Sequence, residues 1–156
     1  MAWSGKKWYI GITMLIGEYV HTIDDKNRLS FPMKFRKEMG KTVVIAPGIE
    51  QSLFVFTPAQ WKKTVDRLAE SSLQEENRSF SRYLIGGASE VEVDANGRIL
   101  IPESLKAKLG IKEKVAIVGL YTRVELWEET TWKKYKKDVE TKADRLANHL
   151  GSVGVL

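Results

Sequence analysis

Cysteine is absent from the 156 residues, which excludes disulfides, thiolate metal sites and cysteine nucleophiles. Only two histidines occur, His21 and His149, and neither stands beside a serine or acid in a recognisable catalytic motif. His21 falls on an expected strand and reads as a structural residue. There is no Gly-rich phosphate loop, no His-Glu-x-x-His pair and no carboxylate cluster with ligand spacing. The chain therefore does not read as an enzyme, and no metal, cofactor or small-molecule substrate is expected. Long apolar runs are missing too. The best candidate, residues 8–17, is about half of the ~20 residues that span a bilayer. No small-x-small cleavage site follows it, because the chain continues Glu18-Tyr19-Val20-His21. Neither a membrane partner nor secretion is expected, and the cytoplasm is the expected compartment.

What remains is a basic chain able to build a core. Hydrophobic residues make up 43%, enough to rule out wholesale disorder. The formal charge is +5, which permits nucleic acid or another anionic surface as partner without requiring one.

The most informative feature is a repeat. Asp24-Asp25-Lys26-Asn27-Arg28-Leu29-Ser30-Phe31-Pro32 returns seventy positions later as Asp94-Ala95-Asn96-Gly97-Arg98-Ile99-Leu100-Ile101-Pro102. Each copy gives an acid, a tight turn, an arginine, an apolar strand and a proline opening a helix. Further on, Phe56 and Trp61 align with Trp127 and Trp132. Such a repeat predicts two copies of one supersecondary unit packed about a local two-fold axis. It also presents two equivalent arginines, which suits a regular ligand such as duplex DNA.

Local chemistry orders the elements. Alternation over 18–22 predicts a half-buried strand, and Arg28–Phe31 resumes the extended run after the turn. In the second copy 91–93 and 98–101, joined through Asn96-Gly97, read as a hairpin. Asn27 stands where the second copy has Gly97, and asparagine is the next-best residue for a left-handed turn. Pro32 and Pro102 suit the first position of short helices over 33–39 and 103–109, stopped by Gly40 and Gly110. Strands are expected over 42–46, 52–56, 115–118 and 123–127. Thr57-Pro58 opens a helix, and 71–79 belongs to a helical hairpin ending near Leu84. A last helix, with Thr130 as its cap and Gly151 as its stop, carries Trp132, Tyr135, Val139, Ala143, Leu146 and Leu150 on one stripe. Lys133, Lys134, Lys136 and Lys137 lie on its other side, read as a solvated face in preference to a second DNA contact.

Around each turn, Asp24 with Arg28 and Asp94 with Arg98 are close enough to pair. Two readings are open. One is a surface ion pair worth well under ~1 kcal/mol. The other has the aspartate cap the turn and preorient an arginine whose fork engages guanine O6 and N7, or a phosphate.

From Met14 through Arg28-Leu29-Ser30-Phe31-Pro32 and Lys34-Phe35-Arg36, and again over Val93-Asp94 to Ile101-Pro102, the chain resembles the MraZ family. The resemblance runs from Met14 to about Leu150. It implies an α+β, β-rich fold: a double-split β-barrel of two swapped-hairpin, SpoVT-AbrB-type repeats flanked by helices. It implies a transcriptional regulator that assembles into homo-oligomeric rings and binds double-stranded DNA. The implied sites are short direct repeats upstream of its own cell-division and cell-wall gene cluster, with repression there and nucleoid association. Carried over by motif, Arg28 and Arg98 contact bases or phosphates, Lys26 and Asn96 are loop contacts, and Asp24 and Asp94 orient the arginines around turn residues Asn27 and Gly97. The implied organisation is an extension (1–13, with Met14 as an alternative start), repeat 1 (18–60), a helical linker (61–87), repeat 2 (89–132) and a C-terminal helix and tail (133–156). Two departures from the family pattern are Asn27 for the usual glycine and the extra acid Asp25. The competing reading is an AbrB-like antitoxin or protein-assembly module.

Overall fold

A computed structural model describes residues 14–71 and 73–156; the extension 1–13, and with it the choice between Met1 and Met14, lies outside the described residues. The first half runs β1 (Ile16–Thr22), β2 (Arg28–Ser30), α1 (Met33–Met39), β3 (Thr42–Pro47), β4 (Leu53–Phe56) and α2 (Pro58–Glu70). After α3 (Glu75–Leu84) the second half repeats it as β5 (Ser89–Glu92), β6 (Arg98–Leu100), α4 (Glu103–Leu109), β7 (Lys114–Leu120), β8 (Val124–Glu128) and α5 (Glu129–Ser152). The chain is α+β, as its sequence leads one to expect.

Four residues at helix ends take a different part from the one expected of them. Pro32 and Pro102 are caps with extended ψ of 142° and 141° rather than first helical residues, while α1 and α4 keep the expected spans. Thr130 does not cap α5. The Glu128 carboxylate accepts the N–H groups of Thr130 and Thr131 and takes that role, because a longer acidic side chain reaches two free donors at once. Gly151 does not stop α5, which runs on to Ser152 before Gly154 turns left-handed at φ 79°. Thr57 caps α2 as expected, accepting from the Gln60 N–H, with Pro58 at the first position.

The strands exchange partners between the halves. One six-stranded antiparallel sheet has the order β1-β7-β8-β4-β3-β5, and β2 pairs with β6 in a separate ribbon. The hairpin expected within the second copy therefore has its turn but no ladder of its own: β5 pairs with β3 and β6 with β2. The registers obey a local two-fold. Val20 faces Ala116 in the β1–β7 ladder, and its repeat equivalent Glu90 faces Val44 in the β5–β3 ladder. Leu29 opposite Ile99 and Phe54 opposite Glu125 pair equivalent residues with each other, which puts both pairs on the axis. No ladder joins β1 to β5 among the described residues, so the hydrogen-bonded sheet is open rather than a closed barrel.

Burial explains the layers. β3, β4, β7 and β8 carry apolar residues on both faces, as strands covered on both sides must. One face, with Val43, Ile45, Val115 and Ile117, packs on Leu29, Phe31, Phe35, Ile99, Ile101 and Leu105 from the ribbon and the short helices. The other face is covered in the first half by α2 and α3 over Phe54 and Phe56, and in the second by the start of α5 over Trp127. The aligned aromatics take equivalent places: Phe56–Trp61 centroids lie 5.4 Å apart and Trp127–Trp132 centroids 5.3 Å. Beyond Val139 every residue of α5 is exposed, so Ala143, Leu146 and Leu150 of the apolar stripe touch no core. Among the described residues no helix is long and apolar enough to cross a membrane.

Leu29 is fully buried on the two-fold axis, whereas Leu73 is 91% exposed. Leu29→Ala is expected to lower unfolding free energy by about 2–5 kcal/mol, and Leu73→Ala to change it by less than about 0.5 kcal/mol. Denaturant titration of both variants checks this; equal losses would contradict the packing.

Candidate nucleic-acid interface

Each repeat builds its turn around one carboxylate. Asn27 and Gly97 hold φ of 61° and 73°, the left-handed geometry that a tight turn demands and asparagine or glycine tolerates. Asp24 Oδ1 accepts the N–H groups of Lys26 at 2.9 Å and Arg28 at 2.8 Å, and its Oδ2 accepts Arg28 Nε at 2.7 Å. Asp94 repeats this with the N–H groups of Asn96 and Arg98 and with Arg98 Nε, each at 2.9 Å. The aspartate thus does two jobs, capping the turn and gripping the arginine by its Nε edge. The Nη groups of both arginines make no hydrogen bond to another described residue and remain free to engage a ligand. Both carboxyls are held below the ordinary carboxylate value, first by the backbone N–H of Arg28 or Arg98, against a smaller opposing effect of burial, and then by the arginine side chain.

The ribbon register brings the two arginines together. Arg28 lies opposite Leu100 and Ser30 opposite Arg98, so these four side chains share one face while Leu29 and Ile99 point into the core. Arg28 and Arg98 are diagonal neighbours, a relation that spans about 7–8 Å between backbones. Rather than two remote contacts, the arginines stand together above a cleft of about 400 Å³ that Leu100, Glu92 and Asp94 also line. Lys26 and Asn96 stand exposed at the tips of the turns, their side chains directed to solvent and only their backbones bonded inward.

Two contacts escape the linear sequence. Asn27 is more than a turn residue: its Nδ2 donates to Glu103 Oε2 and its Oδ1 accepts Lys106 Nζ, both at 2.7 Å, across to the other half. At the equivalent place on the second turn, the Arg36 guanidinium lies over Gly97. A Cβ on Gly97 would stand 2.6 Å from Arg36 Cδ and 2.8 Å from Cζ, so a larger residue there would displace the arginine side chain. Positions 36 and 106 are repeat equivalents and both cationic, the only trace of this in the sequence. His21 has a structural place, with Nδ1 at 2.6 Å from the Ser30 carbonyl. On the basic side of α5, Lys136 pairs with Glu18 at 2.8 Å and Lys133 with Glu129 at 3.6 Å.

Comparison with known proteins agrees with this twofold construction. Residues 14–83 and 84–149 each match the family model described as "MraZ protein, putative antitoxin-like". The Transcriptional regulator MraZ of Caldanaerobacter subterraneus subsp. tengcongensis is 38% identical over 143 residues, covering 91% of this chain and all of that relative. The Transcriptional regulator MraZ of Caldicellulosiruptor bescii is also 38% identical, with the same coverage. That of Acetivibrio thermocellus is 35% identical, again over 91% of this chain and 100% of the relative.

Because the native pKa of Asp24 and Asp94 lies below the ordinary 3.8, the stabilisation these carboxylates give the turns is complete above that value. It is lost only as pH falls below 3.8 through the native value. Carboxyl NMR titration should find both midpoints under 3.8; midpoints at or above it would contradict the capping geometry.

Proposed function

The chain belongs to the MraZ family, and on that premise we propose that it is a sequence-specific, DNA-binding transcriptional regulator rather than an enzyme. In this reading it represses its own cell-division and cell-wall gene cluster by occupying short direct repeats upstream, as a cytoplasmic, nucleoid-associated protein. The observation that carries the reading is the arginine pair on one face of the β2–β6 ribbon, each fork oriented by its own aspartate and free at its Nη groups. A two-stranded ribbon fits the major groove, where an arginine fork matches guanine O6 and N7. Asp24 and Asp94 lower the entropy of ordering those forks on binding. Lys26 and Asn96, at the turn tips, are positioned to meet the flanking backbone.

Assembly belongs to the same proposal. One ribbon gives a single protomer few phosphate contacts, so useful affinity comes from several ribbons spaced along repeated sites. The outer part of α5, with Leu146 and Leu150 exposed, supplies a surface for joining copies into a ring. The double-split arrangement is supported by the strand exchange about the local two-fold, with repeats over 18–60 and 89–132, the linker 61–87 and the C-terminal 133–156. The same exposed α5 surface is what an antitoxin-like or assembly module would use toward a different protein.

Arg28→Ala and Arg98→Ala are each expected to weaken binding to that upstream DNA by about 1–3 kcal/mol and to relax specificity at one base. Electrophoretic shift measures the loss, with circular dichroism confirming the fold. A folded variant with wild-type affinity would overturn the assignment.

A further inference from the structure

The two turns are built alike, yet their neighbours are not. At the first, Lys106 is bonded to Asn27, which is itself bonded to Glu103. There the acids Asp24, Asp25 and Glu103 cancel Lys26, Arg28 and Lys106. The second turn has Ala95 where the first has Asp25, and α1 carries Met33 where α4 carries Glu103. With Asp94 paired to Arg98, Arg36 leaves this turn one positive charge in excess.

Arg36 is also placed differently from Lys106. Its Nε donates to the Phe31 carbonyl at 3.0 Å, which fixes the guanidinium against the buried Gly97. The Nη groups form no hydrogen bond or ion pair with another described residue. Glu92 and Lys41 line the cleft beside it, but neither is bonded to it. A half-buried guanidinium, anchored by Nε and lying on a DNA-facing turn, is preorganised for one anionic oxygen.

We propose that Arg36 is a further DNA contact, taking a backbone phosphate beside the second turn, and that Gly97 is glycine because it seats this arginine. The two repeats then bind unequally: the second turn holds the duplex with both Arg98 and Arg36, while at the first turn Asn27 and Glu103 withdraw Lys106 from the ligand. Asn27 in place of glycine is what makes that withdrawal possible. The inference rests on the DNA-binding reading above.

Fluorescence anisotropy over a series of KCl concentrations tests it, using a labelled duplex from upstream of the chain's own gene and a scrambled duplex. A phosphate contact affects all sequences alike, so Arg36→Gln should weaken both duplexes in proportion and lower the slope of log affinity against log salt by about 1. Arg36→Lys should keep the wild-type slope, as should Lys106→Gln. Glutamine can still donate to Phe31, which protects the fold; thermal melting of each variant reports any purely structural role. An Arg36→Gln protein with the wild-type slope, whatever its melting temperature, overturns the proposal, and so does an equal slope loss in Lys106→Gln. If Arg28→Ala binds like wild type in the same assay, the DNA-binding reading itself fails and the Arg36 proposal falls with it. If Arg28→Ala loses binding while Arg36→Gln does not change the slope, only the Arg36 proposal falls.

Discussion

Neither half of this chain can satisfy its first strand at home. β1 finds its hydrogen-bond partner in β7 and β5 finds its own in β3, so each half closes only on the other. An isolated half would expose a row of unpaired backbone groups together with the apolar faces of β3 and β4 or of β7 and β8, an arrangement water does not tolerate. The exchange also sets the register of the β2–β6 ribbon, because Leu29 and Ile99 meet on the axis in the shared core. The two arginines inherit their mutual position from that packing. A surface built in this way is anchored from beneath by buried side chains, and its geometry does not depend on loop flexibility.

Much of the local structure was legible because single residues decide it. Asn27 and Gly97 mark the left-handed turns, Gly40 and Gly110 end α1 and α4 within a residue of expectation, and Thr57 with Pro58 opens α2. Partner choice was less so. Alternation along a strand tells which residues face the core but not which strand lies alongside, so 91–93 and 98–101 read as a hairpin when each pairs across the halves. Helix ends failed where a side chain competed for the same donors: Glu128 outreaches Thr130 at the start of α5.

The site divides in the same way. Aspartate and arginine four residues apart around a turn were recognisable as a pair, since the contact is local. The face they share was not, because it depends on a ladder between strands seventy positions apart. Asn27 with Lys106, and Arg36 with Gly97, likewise join residues of different halves and arise only once the two short helices are packed over the opposite turns. Repetition made the halves look interchangeable, while substitutions at a few repeat-equivalent positions give each turn its own electrostatic surroundings.

On the proposed reading, the paired arginine forks enter the major groove and engage guanine. Methylation interference on DNA from upstream of the chain's own gene tests this most directly, since a methyl group on guanine N7 blocks the atom an arginine fork would engage. Binding is expected to be lost when particular guanines in each repeated site are methylated at N7, recurring at the spacing of those sites. Binding that is indifferent to N7 methylation throughout the protected region would contradict it.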